Sequence, residues 1–288
     1  MITIRPARKS DKDEILSFCM NTFSWGDYIN RVWDYWYAEK NGQLFVAESS
    51  GEKIAMSHVA ICPKGKGIWL EGIRVHPAHR RSYIATMLLA KMLEYGRRKG
   101  AREASAIVDA TNFPSQSLME KNGFRVVSKW MYYNALSILR HQESNARIAN
   151  VDDIDNIWQY LLQSKIYPLS GKRYVKSWHW YTFDRRELLN FVKEERVIVT
   201  SLPIDGIAII NKHGYWDRTN ILQIVYLDIA SVSSLHHLVS FITNLYSDGK
   251  FDSLQLICYN SKQVTSFIDK FVIKEEEQFL LYNKQFTP

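Results

Sequence analysis

The stretch Trp69-Leu70-Glu71-Gly72-Ile73-Arg74-Val75-His76-Pro77-Ala78-His79-Arg80-Arg81-Ser82-Tyr83-Ile84-Ala85-Thr86-Met87-Leu88-Leu89 runs a strand into a proline, a basic turn and an apolar helix. Ile84, Met87, Leu88, Met92 and Tyr95 fall at helical spacing, and Gly100 is a stop for a helix over 81–98. The first turn of such a helix offers unpaired backbone N–H groups and the positive end of the helix dipole, which together make an anion site. Arg80 and Arg81 add charge, and Ser82 can cap or donate. A pyrophosphate fits here. The dipole contributes only about 0.3–2 kcal/mol per anion, so most affinity must come from the arginines and the rest of the ligand. Neither G-x-x-x-x-G-K-[ST] nor a G-x-G-x-x-G after the first strand is present, so P-loop and Rossmann phosphate sites are not expected.

Around this stretch the first half reads strand, helix, helix, three strands, helix, strand, helix, strand. Ile2–Pro6 alternates, Ser10 is placed to cap a helix over 11–22, and a second helix follows over 28–40. Strands are expected at 44–48, 53–62 and 67–75, then at 104–108, a short helix at 115–121, and one or two strands at 124–136. The polar, aperiodic 139–145 is the expected linker. The second half restarts the pattern: Ala7, Asp11, Asp13 and Ile15 recur as Ala149, Asp153, Asp155 and Ile157. Ser117–Lys121 matches Ser266–Lys270, and Tyr133-Asn134 matches Tyr282-Asn283. These matches fall in order at both ends of each half, as a diverged duplication would leave them.

Val75-His76-Pro77 followed by Arg80-Arg81-Ser82-Tyr83-Ile84-Ala85 resembles the V-x-P and [QR]-x-x-G-x-[GA] signature of the GNAT superfamily of N-acyltransferases. Asn112 through Gly123-Phe124 resembles its second signature. The resemblance covers about residues 2–136. It implies an α/β fold with a mixed, mostly antiparallel sheet flanked by helices, present twice: an acyl-CoA-binding catalytic domain over 1–138 and a degenerate copy over 146–288. Acetyl-CoA is the implied co-substrate. Backbone groups of Ile73 and Val75 would hold the pantetheine, with the Val75 N–H as oxyanion donor. The amides from Arg81 through Thr86 (Ser82, Tyr83, Ile84 and Ala85 between them) would hold the pyrophosphate beside Arg80, and Asn112 and Ser115 would lie by the pantetheine or the thiol. Two positions depart from the pattern. Tyr83 stands where the family has glycine, which admits a phosphate without a Cβ in the way. Met119 stands where a tyrosine often protonates the leaving thiolate, leaving Ser115, Ser117, Tyr132 or water.

Direct acyl transfer needs a base for the substrate ammonium. Glu71 is the candidate: strict alternation would place it on one strand face with Trp69, Ile73 and Val75, where apolar neighbours raise a carboxylate's pKa. It also matches the strand glutamate proposed as base in polyamine acetyltransferases of the superfamily; a Glu paired with a nearby Lys or Arg is the alternative. Trp25, Asp27 and Tyr28 fall where the family builds its acceptor pocket, Asp27 being able to hold a cationic amine. Core packing explains the tryptophans as well. His76 and His79 lack a third ligand nearby in sequence, and His236-His237 and His179 read as packing residues, so no metal is expected. Cys19, Cys62 and Cys258 sit in apolar segments, so none is expected as a nucleophile and a reducing cytosol is the expected compartment.

The second half lacks an arginine at its equivalent helix start, Ala230-Ser231-Val232-Ser233-Ser234, and carries Asp228 just upstream. It is expected to bind no cofactor, to complete the acceptor pocket and to cover a sheet edge. A weaker resemblance points to enzymes that acetylate the α-amine of free amino acids. At 288 residues and 46% hydrophobic content the chain is long enough for two globular cores, and no apolar run approaches a membrane span. The net charge of +7 allows an anionic partner without selecting one. The expected activity is acetyl transfer to a small-molecule or peptide amine, with neither nucleic acid nor membrane as partner. A non-catalytic acyl-CoA sensor is the alternative, and a nucleic-acid-associated protein rests on the charge alone.

Overall fold

The computed structural model describes residues 1–20, 22–23, 26–62, 67–135, 143–176, 178–211, 221–247, 251, 253–262, 264 and 273–286. The chain divides into two compact units, Met1–Val126 with Leu281–Pro288, and Val127–Leu280.

In the first unit β1 (Ile2–Pro6) leads through a 3-10 turn, Lys9–Asp11, into α1 (Lys12–Cys19) and α2 (Ile29–Ala38). Ser10, expected as the cap of α1, lies inside that turn. Asp11 holds the N-cap position of α1 but its side chain does not cap it: the carboxylate turns back to accept from the Arg8 amide at 2.7 Å and from both terminal nitrogens of Arg5 at 2.7 and 2.9 Å. Burial alone would raise the Asp11 pKa, but these donors outweigh it and hold the carboxyl below its ordinary value. β2 (Gly42–Ser49), β3 (Glu52–Ile61) and β4 (Gly67–Val75) form an antiparallel meander with β1 on its edge. The chain then crosses over through α3 (Ile84–Arg98) to β5 (Glu103–Asp109), which runs parallel to β4, and continues into α4 (Phe113–Lys121).

A core of Ile15, Cys19, Ile29, Val32, Trp33, Trp36, Leu44, Val46 and Met56 fixes α1 and α2 on one face of the meander. α3 covers the meander with Ile84, Leu88, Leu89, Met92 and Leu93, while Met87, expected on its apolar stripe, turns to solvent.

β6 (Arg125–Ala135) starts at the end of the first unit and runs on in the second. Of the expected linker, residues 139–142 lie outside the described residues, as do the repeat residues 266–270. The second unit continues with β7 (Arg147–Ile148), α5 (Ile154–Gln163), α6 (Ile166–Leu169), a hairpin of β8 (Arg173–Lys176) and β9 (His179–Thr182), and α7 (Arg185–Lys193). Then come β10 (Val197–Val199), β11 (Gly206–Asn211), β12 (Ile221–Ile229), α8 (Val232–Ser247), β13 (Ser253–Tyr259) and β14 (Ile273–Gln285). β7, β10, β11 and β12 are antiparallel neighbours, β13 is parallel to β12, and β6 is antiparallel to β13. This repeats the plan of β1 to β5.

Local details correspond as well. Arg147 clamps Asp153 at 2.6 and 2.7 Å, and Asp153 accepts from the Asn150 amide at 2.8 Å, as Arg5, Asp11 and Arg8 do. Ala7 and Ala149 both donate to the neighbouring strand, and Ile15 and Ile157 are both fully buried. The units nonetheless cross the expected sequence halves. β6 belongs to the second unit from Val127, and the end of β14, from Leu281, belongs to the first. There it lies beside β5, with Asn283 Nδ2 donating to Ser105 Oγ at 3.0 Å and the Phe286 amide to the Arg102 carbonyl at 2.7 Å.

Candidate functional site

β4 and β5 pair only from Gly67 opposite Glu103 to Trp69 opposite Ser105. Beyond that, β4 runs to Val75 and β5 to Asp109 with no ladder between them among the described residues. The His76 amide donates to the Ile54 carbonyl on β3. Successive amides of a strand point to opposite edges, so the Val75 and Ile73 amides face the open gap. Both residues are half-buried. An extended amide-bearing chain can lie there as a strand would.

The gap ends at the start of α3. The first helical bond runs from the Met87 amide to the Tyr83 carbonyl, leaving the amides of Ile84, Ala85 and Thr86 ahead of it. Arg81 and Tyr83 have φ of 64° and 60°, a backbone of the kind that can turn neighbouring amides toward one side as an anion nest does. Tyr83 thus keeps the left-handed backbone that glycine usually supplies. Its side chain is 81% exposed and does not fill the nest. Arg80, Arg81 and Ser82 are exposed around it, with Arg80 Nε 3.4 Å from the Val75 carbonyl.

The alternation expected along β4 breaks at Gly72. β3 pairs His58 with Glu71 and Met56 with Arg74, so two residues, Gly72 and Ile73, oppose Ser57 alone. This is a β-bulge with its glycine at φ 68°. It changes the phase of the strand: Trp69, Glu71 and Arg74 share one face, and Ile73 and Val75 occupy the other. Glu71 therefore does not share a face with Ile73 and Val75. A Cβ on Gly72 would come within 2.6 Å of the Trp36 ring, so bulge and α2 are fitted to each other.

Glu71 has a partner that sequence reasoning missed. His58 Nδ1 lies 2.9 Å from Glu71 Oε1, and His58 Nε2 lies 3.2 Å from Glu39 Oε2. Burial pulls the His58 pKa down, but the carboxylates of Glu39 and Glu71 outweigh it and hold it above the ordinary histidine value. The available signal was a His inside the apolar run of β3, on the strand next to Glu71.

Asp27 is engaged by Arg74 at 2.6 and 3.1 Å and caps the Ile29 amide at 3.2 Å, so an amine would have to compete with a guanidinium for it. Arg74 also lies 5.2 Å from the centroid of the Tyr28 ring, and burial pushes the Tyr28 hydroxyl up to about 12. Trp25 is outside the described residues. Asn112 Oδ1 caps α4 by accepting from the Ser115 amide at 3.1 Å, and Met119 is buried. Tyr132 belongs to the second unit, where its oxygen accepts from Gln255 Nε2 at 3.0 Å. Cys19 and Cys258 are buried, the Cys19 thiol being pushed up to about 12 by burial, whereas Cys62 is only half-buried. His76 and His79 do acquire a third potential ligand: with Glu52 they bring one ligand atom each within 4.8 Å of one another. His76 Nδ1 already accepts from the Ala78 amide, and His79 Nε2 is 3.6 Å from Glu52 Oε2.

In the second unit the carboxylate at the start of α8 is Asp205, which accepts from Ser234 Oγ at 2.8 Å and Thr200 Oγ1 at 2.7 Å. Ser231 Oγ accepts from the Ser234 amide. Asp228, expected to repel an anion there, is instead buried among the hydroxyls of Tyr160, Ser164 and Tyr226.

The Acetyltransferase (GNAT) family matches residues 12–124, the segment that builds the gap, the nest and the bulge. The aminoglycoside N(6')-acetyltransferase type 1 of Acinetobacter haemolyticus is 31% identical over 107 residues, 34% of this chain and 72% of that protein. The chain belongs to the GNAT acetyltransferase family. A histidine N-acetyltransferase of Scomber australasicus is 30% identical over 83 residues, 29% of this chain. The GNAT chain spans only a quarter of that relative, 25% of its length. The GNAT fold extends beyond the matched segment. A GCN5-related N-acetyltransferase from Sphaerobacter thermophilus superposes with a TM-score of 0.64 at 14% identity, covering 100% of this chain and 96% of that one.

Proposed function

We propose that this GNAT protein is an acetyl-CoA-dependent N-acetyltransferase that passes the acetyl group directly from the thioester to an amine. One observation carries the reading: the gap between β4 and β5 runs from the Gly72 bulge to the anion nest, and Glu71 stands at the bulge end. Pantetheine lies along β4 against the Ile73 and Val75 backbone, and the pyrophosphate sits on the Ile84, Ala85 and Thr86 amides with Arg80 and Arg81 beside it. The Val75 amide donates to the thioester oxygen as it gains charge. Glu71 takes the proton that frees the amine lone pair. A thiol nucleophile is not needed, and burial keeps Cys19 protonated.

The relatives named for histidine and for aminoglycosides support a small-molecule amine as acceptor. The absence of a disulfide among the described cysteines supports a reducing compartment such as the cytosol. The test is amine-dependent release of CoA thiol across free amino acids, aminoglycosides and peptides. Release with any of them supports transfer. Acetyl-CoA binding without release across the whole panel would support the sensor reading, for which Met119 remains the motive.

A further inference from the structure

Glu71 is one end of a row of three acid–base groups. His58 has no exposed side-chain surface and stacks flat on Trp36, ring centroids 4.5 Å apart and planes 5° apart. One ring nitrogen meets Glu71 on β4, and the other meets Glu39, just past the end of α2. Gly42 leaves the space for this: a Cβ there would stand 2.8 Å from His58 Nε2 and 3.0 Å from Glu39 Oε2. Glu39 in turn lines an open pocket of about 340 Å³ together with Lys40, Gln43, Tyr95 and Lys99. A buried histidine held between two carboxylates is weak as a stabilising device, which directs attention to its chemistry.

We infer that Glu71, His58 and Glu39 form a charge-compensating proton relay: as Glu71 takes a proton on the acyl-transfer face of β4, His58 releases one through Glu39 to the pocket beside α2. The inference rests on Glu71 being the base proposed above. The relay starts with His58 as an imidazolium, Nδ1 2.9 Å from Glu71 Oε1 and Nε2 3.2 Å from Glu39 Oε2. When the ammonium N–H bond breaks, an O–H bond forms on the Glu71 carboxylate. The imidazolium then gives its Nε2 proton to Glu39, which gives it to water in the pocket. The triad carries the same net charge before and after, so no uncompensated charge is left in the interior. This matters while bound substrates keep water from the β4 face. After the products leave, Glu71 loses its proton through the reopened cleft and His58 regains one through Glu39.

Other titratable and charged groups surround the triad. The phenols of Tyr35 and Tyr95 face Glu39, and Tyr28 faces Glu71; burial pushes all three upward. Arg74 stays a guanidinium cation paired with Asp27, and Lys40 and Lys99 line the pocket.

The experiment is amine-dependent CoA thiol release by the full chain from pH 5 to 9, at saturating acetyl-CoA. His58→Gln would open a hole in the core, so the variants are Glu39→Gln, which keeps the shape but carries no proton, and Gly42→Ala, which wedges Glu39 away from His58. Both are expected to lower kcat about tenfold or more and to change its pH profile, with KM for acetyl-CoA unchanged. Glu39→Ala is expected to regain activity with added formate, which enters the open pocket and takes the proton. Wild-type kcat and pH profile in both variants, with Glu71→Gln inactive, would overturn the relay and leave the base in place. A fully active Glu71→Gln would remove the base, and the relay with it.

Discussion

Glu71 keeps 15% of its side-chain surface exposed and accepts a hydrogen bond from a buried histidine, so it can take a proton without losing its place. Glu71→Gln preserves the shape and removes the basicity. It is expected to lower kcat about 10²- to 10⁴-fold with acetyl-CoA affinity unchanged, as steady-state kinetics and calorimetry would show. Tyr83 tests the nest. A left-handed φ costs a non-glycine residue about 1–2 kcal/mol. Tyr83→Gly should therefore lose no stability in urea and could gain up to about 1 kcal/mol. Acetyl-CoA affinity should hold, because the ring points to solvent; a tenfold loss, roughly 1.4 kcal/mol, would mean that the ring stacks on the nucleotide. His58 gives a pH signature of its own. Its folded pKa is raised, so its contribution to stability is complete below its ordinary value of 6.5 and fades as pH rises through the folded value. Urea midpoints should fall across that window in the wild type and fall less in Glu39→Gln. Asp11 and Glu48 have lowered values and act the opposite way, losing their contribution as pH drops through the acid range.

At the scale of elements, β4 was legible at both ends, Gly67 and Val75, because turn residues bound an apolar run. Its interior was not. The Gly72 bulge depends on pairing with β3 and on the Trp36 ring from α2, neither of which local alternation contains, so the face shared by Glu71 was misjudged. His58 escaped for the same reason: inside β3 it looks like a core residue until β4 and Glu39 flank it. Gly72→Ala should be costly, since φ 68° strains the backbone and the new Cβ meets a ring fixed in the core. A loss of at least about 2 kcal/mol in urea is expected. If Gly72→Ala folds with undiminished stability, the bulge is not where β3 and β4 place it. The start of α3 was legible in chemistry, though the helix begins at Ile84, because Pro77 and the two left-handed residues delay it.

At the scale of the molecule, the repeat was visible in Asp11 and Asp153, and the structure adds the arginine that clamps each of them. What sequence could not reveal is which strand completes which unit. Strand order is decided by pairing, and residues 281–285 end beside β5 although they close the second half of the sequence. Removing residues 281–288 would strip the β5 edge of the Asn283 and Phe286 hydrogen bonds. The truncated chain is expected to melt several degrees lower, on the order of 2–4 °C per kcal/mol lost; an unchanged Tm would remove that strand from the first unit. In the second unit Asp205 and Ser231 engage Ser234 at the start of α8, and the Asp205 carboxylate there disfavours a pyrophosphate. The whole chain should therefore carry one acyl-CoA site, in the first unit. Calorimetric titration of the full chain with acetyl-CoA at moderate salt tests this most directly. One site per chain near micromolar Kd, about −8 kcal/mol, weakened roughly tenfold or more by Arg81→Ala, is the expected result; no binding heat, or two equivalent sites per chain, would contradict it.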